Sequence, residues 1–130
     1  MMTEQEIVNK YLGIPYQYKG RDLTGMDCWG LFISIYKDLG IEVDNFGIDY
    51  DEDWSVKGNN YLADNYWRQW EEIDLPKQFD AVLLKSEEGL GNHVGVVLSK
   101  GKFIHCCKAG TVVSSLKAFR NKIYGFYRFK

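Results

Sequence analysis

The sequence predicts an α+β fold, and three observations predict it. Helix-type spacing of apolar residues, with capping signals ahead of it, is confined to the front of the chain. Short runs rich in β-branched and aromatic residues, each bounded by Gly, Ser, Asn or Lys, fill the back half. At 130 residues the length suits one core, so a single domain spanning residues 1–130 is expected, with helices packed on one face of a sheet.

The elements follow in chain order. Thr3 and Glu6 have capping-box spacing, and Ile7, Val8, Tyr11 and Leu12 recur at helical spacing until Gly13 and Pro15 stop the run. Residues 13–26, GIPYQYKGRDLTGM, mix glycine, proline and aromatics, which fits an ordered loop that carries side chains to a surface site. Asp27 then caps a central helix whose stripe is Leu31, Phe32, Ile35, Tyr36 and Leu39 and which Gly40 terminates. Residues 41–57 are acidic and aperiodic, and residues 60–71, rich in Tyr and Trp, read as a further helix. Strands are expected at 80–85, 93–98, 102–107, 111–114 and 123–129, arranged as an antiparallel meander.

Charge and composition exclude several classes. Sixteen basic and eighteen acidic residues are interspersed and leave a formal charge of −2, so the clustered cations that neutralise nucleic-acid phosphates are missing. The opening MMTEQEIVNKYL has no continuous apolar run, which argues against a secretory signal, and no membrane-spanning segment is expected. Three cysteines, two of them adjacent, make a poor disulfide framework, so synthesis in the reducing cytoplasm fits. No cofactor is expected.

The chemistry-bearing residues are few. Cys28 lies one position past the expected N-cap Asp27, where unpaired backbone N–H groups favour a thiolate, although a lone helical cysteine is more often a small buried apolar residue. Both histidines of the chain fall in predicted strands joined by Ser99, Lys100 and Gly101. In that register Leu98 opposes Lys102 and His105 opposes Gly95, so His93 and His105 share a face, and glycine leaves room for the rings. A nucleophilic thiol, an imidazole base and a third group to orient that base are the parts of a cysteine hydrolase, and Cys28, His93 and His105 supply one of each. Zinc held by Cys and two His is the rival reading, but the spacing is unlike ordinary zinc motifs. Cys107 would share the histidine face and Cys106 the opposite one; buried packing is the expected role of both, because neither has a helix terminus to ionise it.

GIPYQYKG at 13–20, GMDCWGL at 25–31 and NHVGVVLSKGKFIHCCKAGTVV at 92–113 together resemble the NlpC-type cysteine peptidases, bacterial and phage enzymes that cut peptidoglycan stem peptides. The resemblance implies a papain-like core, with Cys28 as nucleophile, His93 as base and His105 as the orienting polar residue. It also implies that Tyr16 lies near the scissile bond and that Asp27 holds the substrate's free amine. Ser commonly follows the cysteine in that family, whereas Trp29 follows it here, so the pocket that reads the stem peptide should differ. DCWGL is closest in kind to phage-associated members, which makes virion association and contact with phage tail proteins expectations too. The implied reaction is thioester-forming hydrolysis of the D-glutamyl–diamino acid amide, with the Cys28 N–H in the oxyanion site. The other class of function is a tail structural component that keeps the fold with little or no catalysis.

Overall fold

The computed structural model describes residues 2–43, 70–85 and 91–129. The first helix, α1 (Glu4–Tyr11), starts at a complete capping box in which the Thr3 hydroxyl accepts the Glu6 N–H and the Glu6 carboxylate accepts the Thr3 N–H. The loop behind it contains a short hairpin, β1 (Arg21–Asp22) and β2 (Gly25–Met26), and a bridge from Tyr16 to Met26. The central helix α2 (Cys28–Asp38) begins directly after Asp27, whose side chain accepts the Gly30 N–H, and ends before Gly40, which adopts φ +82° as a helix-stopping glycine does.

Among the described residues six strands form one antiparallel sheet: β3 (Trp70–Ile73), β4 (Ala81–Lys85), β5 (Gly91–Val97), β6 (Lys102–Cys107), β7 (Gly110–Ser115) and β8 (Ile123–Phe129), in the spatial order β3-β8-β4-β5-β6-β7. Strands β4 to β7 are the expected meander. The last strand does not extend it: β8 returns across the sheet to pair with β4 on one side and β3 on the other. A second correction concerns the helix expected over 60–71. Residues 60–69 lie outside the described residues, and Trp70 and Glu71 belong to β3. Trp70 there packs its ring against Phe32 and Tyr36 of α2 and Phe129 of β8, so burial of this aromatic between helix and sheet goes with the strand.

Strand alternation gives the sheet two different faces. Ala81, Leu83, Val94, Val96, Ile104 and Cys106 pack with Ile7, Tyr11 and the α2 stripe in the main core. Val82, Leu84, Val97 and Phe103 point the other way, into a smaller cluster closed by Leu116, Phe119, Ile123 and Phe126. Each buried aliphatic side chain contributes on the order of 1.5–3 kcal/mol, so the two layers jointly fix the register of β4 to β6. Bidentate pairing of Arg128 with the buried Asp80 carboxylate, at 2.9 and 2.7 Å, ties β8 to the start of β4.

Candidate active site

Cys28 is the first residue of α2, and the tip of that helix is held by Asp27. The Asp27 carboxylate is 3% exposed and accepts the Gly30 N–H at 2.8 Å, the Arg21 guanidinium at 3.0 Å and the Lys19 N–H at 3.1 Å. One carboxylate therefore anchors both the helix start and the preceding loop. The motif glycine Gly30 matters for the same reason: a Cβ on it would overlap the Gly20 carbonyl oxygen and come within 3.0 Å of Arg21 Nη1. Only glycine lets the loop lie this close over the first turn, a requirement that residue spacing along the chain does not reveal.

The hairpin of β5 and β6 keeps the expected register, with Val96 opposite Ile104 and Val97 opposite Phe103. Gly95 accordingly faces His105: a Cβ there would sit 3.2 Å from His105 Cβ and 2.9 Å from both Ile104 O and a Phe103 ring carbon. The two imidazoles meet, His93 Nε2 lying 2.8 Å from His105 Nδ1. A third group, absent from the sequence reading, completes the row. Ser114 Oγ on β7 lies 2.9 Å from His105 Nε2. Nothing in the linear sequence singles this serine out from its neighbour Ser115; the β6–β7 pairing of Phe103 with Ser114 selects it.

His93, His105 and Ser114 all lie on the sheet face carrying the smaller cluster, where the His105 ring packs against Phe103 and Phe119. Helix α2 covers the opposite face. Cys28 and the imidazole row can therefore approach one another only past the edge of β5. The structure provides such a place. The pairing of β5 with β6 runs through Val96 and Val97, and farther along β5 the backbone N–H of Val94, the residue after His93, is directed at the Cys28 sulfur. Among the described residues no hydrogen bond joins the Cys28 thiol to the His93 ring itself.

Burial controls the charge state of all three groups. It pushes the Cys28 thiol up, helped by the adjacent Asp27 carboxylate and opposed by the Val94 N–H and the Arg21 guanidinium. This reverses the expectation that the helix tip alone would leave a thiolate. Desolvation, reinforced by the neighbouring imidazole, lowers His93 to about 3, and desolvation lowers His105 to about 4. At neutral pH these shifts leave a thiol beside neutral imidazoles.

The remaining predicted site residues separate into rim and core. Tyr16 is half-buried, joined by its backbone to Met26 and overlaid by the Lys108 ammonium 5.3 Å from the ring centroid. Trp29, expected to shape substrate binding, is 4% exposed with its ring stacked on Phe32, a core position. Cys106 is buried in the main core with its thiol donating to the Met26 carbonyl at 3.2 Å, and Cys107 is half-buried against the Gly110 carbonyl at 3.5 Å. Among the described residues no group of three or more His, Cys, Asp or Glu side chains is placed to hold a metal ion.

Known proteins share this architecture. The chain is 30% identical over 119 residues to the gamma-D-glutamyl-L-lysine dipeptidyl-peptidase of Bacillus subtilis strain 168, an alignment covering 88% of this chain and 36% of the relative. The chain thus spans about a third of that protein's length. Among solved structures, the NlpC/p60 domain of peptidoglycan hydrolase SagA superposes with a TM-score of 0.66 at 21% identity, covering 95% of this chain and 93% of that one. An NlpC/P60 family protein from Bacillus cereus ATCC 10987 superposes with a TM-score of 0.68 at 21% identity, covering 98% of this chain and 40% of that one. The NlpC/P60 family profile matches residues 13–126, which include the helix tip, the loop before it and the whole imidazole row, and the chain belongs to that family.

Proposed function

We propose that this protein is a cell-wall cysteine peptidase that hydrolyses a D-glutamyl–diamino acid amide of the peptidoglycan stem peptide. The observation that carries the reading is the juxtaposition at the edge of β5: a helix-tip thiol meets the backbone beside an imidazole that is itself held by a second imidazole and a hydroxyl. The name of the B. subtilis relative supports the bond type.

The charge states support a concerted start. His93 Nε2 is engaged by His105, which leaves Nδ1 to receive the thiol proton as sulfur attacks the carbonyl. Because the resting thiol meets the Val94 N–H rather than the ring, a small shift of the Cys28 side chain accompanies substrate binding; catalytic contacts commonly tighten at that stage. The sulfur–carbon bond forms, and the carbonyl oxygen, now anionic, lies by the unpaired N–H groups at the start of α2, the Cys28 N–H first among them. The imidazolium then gives its proton to the departing amine as the carbon–nitrogen bond breaks. Water, deprotonated by His93, cleaves the thioester and restores the thiol. His105 acts through His93 by fixing its tautomer and angle, and Ser114 does the same for His105.

Digestion of purified peptidoglycan by the wild-type protein and by Cys28→Ala, followed by mass spectrometry of the products, tests this. Wild type should release fragments cut at the glutamyl amide, and Cys28→Ala should release none; fragments of equal yield from the variant would sink the reading. The phage-associated character of DCWGL fits delivery of this domain by a larger assembly such as a tail, and it remains part of the proposal.

A further inference from the structure

We infer that Lys108 is a specificity-determining residue: held over the Tyr16 ring, its ammonium receives a free carboxylate next to the scissile amide, as the α-carboxylate of a γ-linked glutamyl residue would be. The inference rests on the peptidase reading above.

Arg21 and Lys108 both approach the loop that leads into Cys28, and they are not equivalent. Arg21 spends Nη1 on the Gly20 carbonyl at 2.9 Å and on the Asp27 carboxylate at 3.0 Å, so its charge is set against a buried anion. Lys108 has no acidic partner among the described residues; its ammonium lies 5.3 Å from the Tyr16 centroid. An aromatic face orients an ammonium without neutralising it, so the full charge stays available to an anion.

Position points the same way. Lys108 lies in the tight turn between β6 and β7, immediately after Cys107. That turn is tied to the loop bearing Tyr16 by the Gly13 N–H to Thr111 O bond of 3.0 Å and the Thr111 N–H to Ile14 O bond of 2.9 Å. The Tyr16 backbone in turn bridges Met26, two residues before Cys28, and the Cys106 thiol reaches the same Met26 carbonyl. Lys108 is therefore fixed on the rim beside the helix tip. An acyl group joined through its γ-carboxyl keeps its α-carboxylate a short methylene chain from the reacting carbonyl. A peptide linked through the α-carboxyl of a non-acidic residue has no anion there. Recognition of that carboxylate would separate γ-linked from ordinary peptide bonds at the acyl side.

The test uses the tripeptide alanyl-γ-D-glutamyl-L-lysine and its analogue in which the α-carboxylate is a carboxamide. Wild type should favour the acid in kcat/KM by about tenfold or more, the lower end of what a charge-assisted hydrogen bond contributes. Lys108→Gln should bring the two peptides within about twofold of each other, and Lys108→Arg should restore most of the preference. An acid preference that survives in Lys108→Gln, or no preference in wild type, overturns the inference. Binding of both peptides to Cys28→Ala, with and without Lys108→Gln, keeps this result apart from the peptidase reading. Selective binding of the acid that needs Lys108, together with no turnover by wild type, would retain the carboxylate site and remove the peptidase. Equal cleavage of both peptides would do the opposite.

Discussion

Replacing Gly30 by alanine sets two effects of known sign against each other at the tip of α2. Alanine in place of glycine inside a helix normally stabilises by about 1 kcal/mol. Here the added Cβ overlaps the Gly20 carbonyl oxygen and meets Arg21 Nη1 at 3.0 Å and Asp27 Oδ1 at 3.2 Å. Gly20 cannot yield cheaply, because its N–H is bonded to Gln17 O at 2.8 Å and its carbonyl accepts from Arg21 at 2.9 Å. Overpacking against such a backbone costs about 3 kcal/mol, the upper end of the usual range, leaving a net loss of about 2 kcal/mol. A chain of this size has a urea slope of roughly 2 kcal/mol/M, so the unfolding midpoint should fall by about 1 M. Displacement of the loop also drags Arg21 and Asp27 away from the helix start, so turnover should fall by more than the loss of folded protein accounts for. Equilibrium urea unfolding followed by tryptophan fluorescence, together with kcat/KM of the folded variant, measures both. A midpoint equal to or above that of wild type would show that the close approach of loop and helix is not what this glycine serves.

The other predictions concern the imidazole row. Since burial lowers the folded His93 to about 3 and His105 to about 4 from 6.5, both are neutral above about pH 5, and kcat/KM should hold from neutrality to about pH 5 before falling; an acid limb centred near 6.5 would contradict this. The sign for stability follows from the same shifts: below 6.5 the unfolded chain binds protons that the folded one refuses, so stability should decline as pH falls from 6.5 toward 4, and unfolding midpoints across that window check it. His105→Ala should lower kcat by on the order of 10²-fold or more, while Ser114→Ala, one contact farther from the sulfur, should cost less than about tenfold, with KM little changed in both. A Ser114→Ala loss equal to that of His105→Ala would place the hydroxyl in a different role.

Much of this protein is legible in one dimension because the signals are local. Capping at Thr3 and Asp27 and the stripe of α2 are set within a turn or two of chain, and β6 and β8 appear at the predicted bounds. The pairing of His93 with His105 was also readable, since a short turn and two-residue alternation fix which side chains share a face. The family's motifs added the roles that spacing alone leaves open. What the linear pattern did not contain is everything decided by contacts between distant segments. Trp70 forms a strand because two α2 aromatics and Phe129 bury it, and β8 leaves the meander because a place beside β4 was open on the other side. Ser114 joins the row through cross-strand pairing with β6. The charge state of Cys28 is the clearest case: its helix-tip position argues for a thiolate, whereas enclosure by the core and the Asp27 carboxylate argue for a thiol. Sequence determines position along an element, and so the dipole and the face; desolvation depends on what the rest of the chain packs around that position, and only the folded molecule decides it.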